Sequence, residues 1–154
     1  MEAERPVLEG EEVEPALGCG GLPPRRRARA VALLVLYQAD AVGHSPEKSL
    51  QALKEQVPLA SEEERVQGLV QGVLSHREDL DRRIQTFAPA WPLHQLPLVD
   101  RNILRMALYE ILYTQTPPKA VINEAVELAK LYGSESTPRF VNGVLGSVMA
   151  SIAP

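Results

Sequence analysis

Arg25, Arg26, Arg27 and Arg29 place four guanidinium groups in five consecutive positions of RRRARAVALLVLYQ, directly ahead of a run that is almost wholly apolar. A guanidinium grips phosphate or carboxylate through paired N–H donors, so the chemistry such a cluster offers is capture of a polyanion. Its place in the chain sharpens that reading. Pro23 and Pro24 suit the start of a helix, whose unpaired N–H groups and positive dipole end favour carboxylates over cations. Arginine is the wrong sign for stability there. The ordinary alternative, a merely solvated helix end, costs only tenths of a kcal/mol per charge.

Arg139 and Phe140 open a second candidate, at the start of TPRFVNGVLGSVMASI. The free N–H groups of a helix N-terminus accept a phosphate, and an aromatic beside them supplies the stacking surface that single-stranded RNA recognition uses. For Phe140 the alternative is a core aromatic. Asn142, one turn into the same helix, reads as a buried amide bonded to the backbone of a neighbouring helix.

Other chemistry finds no support. His44, His76 and His94 are scattered over a loop, a helix and a Pro-rich connection, with no acid at metal-ligand spacing, so they read as surface histidines. Gly143 and Gly146 fall inside a helix and do not make a phosphate-cradling loop; with Ala150 they form a small-residue face for close helix contact. Glu62, Glu63 and Glu64 sit in a first turn, where the dipole explains them. No nucleophile has a base beside it, so the expectation is no enzyme, no cofactor and no metal. Cys19 has no intrachain partner and the apolar run Ala30 to Tyr37 is too short for a bilayer, which together point to a reduced cytoplasm and no membrane.

The elements that must position these residues follow from charge and periodicity. Residues 1–24 hold six glutamates against one arginine, so of the formal net charge of −4 this stretch carries −5 and the rest of the chain +1. Acidic, rich in Gly and Pro and without apolar period, residues 1–23 read as a disordered extension, and 24–154 as one helical RNA-binding domain. Within it, Arg25 to Val42 is apolar on nearly every side and reads as a central buried helix ended by Gly43. Ser45 and Pro46 open a short helix reaching Val57. Ser61 and Glu64 form a capping box for one long helix through Phe87. APAWPLHQLP is a connection pinned by Trp91 on the core. Helices follow over LVDRNILRMALYEILY, over KAVINEAVELAKLYG with Gly133 as C-cap, and from Thr137 and Pro138 onward. No segment alternates like a strand. The fold class is all-α, a compact bundle of about six or seven helices.

RRRAR followed by A-x-x-x-LY, then ILRMALYEI, AVINEAVELAK-x-YG and RFVNGVL, in this order over about residues 24–150, resemble the NusB family of bacterial transcription antitermination factors. The resemblance implies two packed helical subdomains and binding of the boxA segment of nascent ribosomal RNA together with the ribosomal protein NusE. It further implies a place in the antitermination complex of RNA polymerase. Carried onto this chain, it makes Arg25, Arg26, Arg27 and Arg29 the RNA-binding motif with Arg139 and Phe140 beside it, and sets Tyr37, Asp100 and Arg105 at the NusE interface. The acidic extension departs from the family pattern. Two alternatives carry different chemistry: a domain related to an rRNA cytosine methyltransferase, whose Rossmann-like domain and catalytic cysteine these residues do not contain, and a helical adaptor that binds protein only, against which the arginine cluster speaks.

Overall fold

The computed structural model describes residues 18–152, and among these it contains seven α-helices, three short 3-10 turns and no strand. The described residues form two compact units, divided between Val70 and Gln71 inside a helix.

In the first unit, α1 (Pro24–Val42) starts on Pro24 and stops where Gly43 takes a left-handed φ of 72°. Every residue from Ala28 to Leu36 is buried, as an all-round apolar helix requires. The 3-10 turn Cys19–Gly21 packs on α1 with Cys19 wholly buried, although composition groups that stretch with the extension. Residues 1–17, which carry all six extension glutamates, lie outside the described residues. Helix α2 (Pro46–Lys54) begins where the Ser45 hydroxyl accepts from the Lys48 N–H, and buries Leu50 and Leu53 on α1. It ends three residues short of Val57, which is buried beyond the helix.

The capping box is not formed. A 3-10 turn, Ala60–Glu62, precedes α3 (Glu63–Ser75), and the exposed Ser61 hydroxyl donates to the Glu62 carboxylate instead of capping. Nor is the helix to Phe87 continuous. His76 leaves helical geometry at φ −112°, ψ 18°, and α4 (Arg77–Phe87) starts after it. The apolar period runs through this single-residue break because Leu80 N–H still reaches the His76 carbonyl, so periodicity alone cannot see it.

The second unit is organised on α5 (Leu98–Tyr113), which packs on α4, α6 (Pro118–Tyr132) and α7 (Thr137–Ile152) and is buried continuously from Asn102 to Leu108. Gly72 lies so close to the Tyr109 ring that a Cβ there would collide with it. The Pro-rich connection before α5 is held by Gln85 and not by Trp91. Its Oε1 accepts from Leu93 N–H at 2.8 Å and its Nε2 donates to the Trp91 carbonyl at 2.8 Å, leaving the indole 52% exposed. Ala88 and Leu96, and not Trp91, are the buried apolar residues of the connection. Gly133 ends α6 in an extended, not left-handed, conformation, and faces the Thr137 side chain too closely for any Cβ. Two further expectations fail on α7: Asn142 is exposed, and a Cβ on Gly143 or Gly146 would meet nothing within 4 Å among the described residues, so no close helix contact uses them.

Candidate nucleic-acid interface

The first turns of α1 do not present four equivalent arginines. A helix advances about 100° per residue, so residues 25–29 sweep more than one full turn and some must face inward. Arg25 is exposed, Arg26 half-buried, and Arg29 buried beside Ala28 and Ala30 at 6% exposure. Arg27 is engaged from two sides. Its Nη1 donates to the Leu22 carbonyl at 3.1 Å, and its Nε and Nη2 donate to Oε1 of Glu62 at 3.4 and 3.2 Å. Glu62 is itself buried. Its neighbour Glu63 pairs with Lys54 at 2.8 Å. Two of the three first-turn glutamates are therefore ion-pair partners and not only dipole partners. Sequence reasoning passed over Glu62 because 35 residues separate it from Arg27 and no periodicity links them. Tyr37 lies half-buried on the same helix.

In the second unit, Arg139 is exposed and Phe140 half-buried in the first turn of α7, so the ring is neither fully in the core nor fully in solvent. That turn is anchored by Thr137, whose hydroxyl accepts from Ser134 N–H and donates to Asp100 Oδ1, both at 2.9 Å. Asp100 is buried in the first turn of α5, and desolvation pushes its carboxyl above the ordinary value against the opposing pull of Thr137 and its own backbone. Arg105, one turn on, is 3% exposed; it donates from Nε and Nη2 to the two oxygens of Asp81 at 2.7 and 3.1 Å and from Nη1 to Asn102. Both side chains spend their charge inside the fold. Of the candidate residues, Arg25 and Arg139 are exposed, Arg26, Phe140 and Tyr37 are half-buried, and Arg27, Arg29, Asp100 and Arg105 are held by or within the structure.

Such an all-helical chain, with an arginine-led helix in one unit and an Arg-Phe-led helix in the other, has the make-up of a small polyanion-binding helical protein. The sequence profile of the NusB family matches residues 26–150, and the chain belongs to this family. It is 51% identical over 130 residues to the transcription antitermination protein NusB of Roseiflexus sp. (strain RS-1), an alignment covering 82% of this chain and 92% of that protein. Against NusB of Dehalococcoides mccartyi (strain ATCC BAA-2266 / KCTC 15142 / 195) it is 44% identical, covering 84% and 92%. Among solved structures, T. maritima NusB superposes with a TM-score of 0.76 at 32% identity, covering 86% of this chain and 94% of that one. A chain from the crystal structure of antitermination factors NusB and NusE in complex with dsRNA gives 0.75 at 30% identity, covering 83% and 97%.

Proposed function

We propose that this protein is a transcription antitermination factor that binds the boxA segment of nascent rRNA transcripts together with NusE, and thereby supports processive rRNA transcription by RNA polymerase. The observation that carries the reading is the exposed cationic start of α1 in a chain whose relatives are named antitermination proteins. A solved relative binds NusE and RNA. It acts by binding and not by catalysis, in the cytoplasm where transcripts are made; no helix among the described residues is long and apolar enough to cross a membrane.

Arg25, Arg26 and Arg139 are the phosphate contacts in this reading, and Phe140 is the stacking surface. Arg29, buried, sets the helix start that presents them. Tyr37 faces NusE directly, whereas Asp100 and Arg105 act on that interface through the shape they give α5, since neither charge reaches the surface. Titration of boxA RNA into the protein with and without NusE tests the reading. The expected result is weak binding alone and markedly tighter binding with NusE, for boxA over an unrelated RNA of equal length. Equal affinity for both RNAs in the presence of NusE overturns it.

A further inference from the structure

The arginine cluster carries an anion of its own. Oε1 of Glu62 receives both the Nε and the Nη2 of Arg27, while Oε2 receives the Ser61 hydroxyl at 3.4 Å. One oxygen thus accepts from two N–H groups of the guanidinium, donors that a phosphate oxygen would otherwise engage. The Glu62 side chain is 8% exposed and that of Arg27 20%, so solvent screens the pair far less than it screens the surface pairs of α4. A long-range first-turn carboxylate is not needed to cap α3, which begins after Glu62, nor to balance its dipole, which Glu63 and Glu64 already serve.

We propose that Glu62 tunes the affinity of the RNA site: it occupies Arg27 as an internal stand-in for phosphate and so withholds one sequence-blind charge contact from the RNA. This rests on the RNA-binding reading given above. Phosphate contacts add affinity for every RNA alike, whereas discrimination comes from bases and shape. Neutralising one arginine of the cluster therefore lowers binding to all RNA without lowering the preference for the right one. With the guanidinium fixed by Glu62 and by the Leu22 carbonyl, Arg27 defines the path of the chain into α1 and leaves the charge contacts to Arg25 and Arg26.

Glu62→Gln keeps the size and an acceptor but removes the charge. It is expected to tighten binding of boxA and of an unrelated RNA by the same severalfold factor at low salt, and to steepen the salt dependence by about 0.7 in log Kd per log salt, the share of one phosphate contact on a single strand. Glu62→Asp, which keeps the charge, is expected to leave the slope at the wild-type value. An unchanged slope in Glu62→Gln, or the same steepening in both variants, overturns the inference. Should Glu62→Gln fail to fold, nitrogen-labelled arginine spectra of the wild-type protein decide: the Arg27 Nε–H resonance is expected to stay put as RNA is added while those of Arg25 and Arg26 move, and an Arg27 shift of the same size overturns it. Failure of the underlying reading shows differently, as no effect of Arg25→Ala with Arg26→Ala on RNA affinity.

Discussion

The hydroxyl of Thr137, the first residue of α7, donates a 2.9 Å hydrogen bond to the buried carboxylate of Asp100 in the first turn of α5. The start of the helix that bears Arg139 and Phe140 is thus fixed by a group 37 residues away, and the carboxyl that fixes it is itself under strain from desolvation.

The pH dependence of that carboxyl follows from its direction of shift. A carboxyl raised in the folded state binds its proton more tightly there than in the unfolded chain, so its contribution is full at acid pH and is lost as pH rises through the folded value. At neutral pH the charged Asp100 is therefore a cost. Asp100→Asn, which keeps an acceptor for Thr137, is expected to melt higher than the wild type at neutral pH, with the gain closing as pH falls through the carboxylate range. Thermal melts across that range check it; a gain that does not depend on pH would show that desolvation of the charge is not its source.

Arg105 and Asp81 make the opposite kind of contact, a bidentate pair with the arginine side chain 4% and the aspartate side chain 23% exposed. Removing Arg105 leaves Asp81 only the longer contact to Arg77 at 3.9 Å, which costs about 3 kcal/mol for a mostly buried pair. Arg105→Ala is expected to lose about that much in urea unfolding. Arg105→Lys is expected to recover little, because an ammonium cannot supply two parallel donors. A loss near zero would mean that Arg77 or water satisfies Asp81 in the variant.

Gly72 is required by what faces it. A Cβ added there runs into the Tyr109 ring, so Gly72→Ala must displace that ring from its packed position, an overpacking cost of about 1–3 kcal/mol. In a Tyr109→Leu background the same substitution is expected to cost much less. Additive effects in the double-mutant cycle would place the cost in the backbone and not in the ring.

What the sequence discloses and what it hides divide along local and long-range interactions. The all-helical class, the all-round burial of α1 and the stop at Gly43 follow from periodicity and turn chemistry, which are local. The break at His76 escapes because one residue departs from helical geometry while the apolar face continues, and Trp91 is misplaced because Gln85, not apolar packing, holds its loop. For the candidate site, the residue types at the start of α1 are legible, but their division is not. Whether an arginine meets solvent or Glu62 depends on a turn 35 residues downstream, and no spacing rule encodes it. Asn142 shows the reverse error: its residue type suits a buried amide, yet it lies on the exposed face of α7.

Tyr113 and Asp79 share a 2.6 Å hydrogen bond at the surface, with the His76 ring 3.8 Å from the tyrosine ring between centroids. The bond to Asp79 holds the phenol proton and raises the Tyr113 value; the same bond lowers Asp79. For the tyrosine the contribution to stability is full below the ordinary phenol value and is lost as pH rises through the folded one; for Asp79 it is present above the unfolded carboxylate value and is lost as pH falls through the folded one. Phenolate absorbance during an alkaline titration is expected to show one tyrosine ionising late, and Asp79→Asn is expected to bring it back toward the others. A late tyrosine that persists in Asp79→Asn would assign the shift to another cause.

The division of the arginines gives the last prediction. Arg25 and Arg26 have more solvent access than Arg29, which is buried at the same helix start. A phosphate contact made by an accessible arginine contributes about 0.7 to the salt slope on a single strand, whereas a buried arginine contributes to packing through its stem and to stability through its partners. Arg25→Ala combined with Arg26→Ala is thus expected to weaken boxA binding and to reduce the slope by about 1.4, two contacts' worth, with the melting temperature close to wild type. Arg29→Ala is expected to do the reverse, lowering the melting temperature while leaving the slope of the folded fraction unchanged. Fluorescence anisotropy over a salt series, with melting curves on the same samples, separates the two; a slope that falls in Arg29→Ala and holds in the double variant would exchange the roles assigned to the exposed and buried arginines.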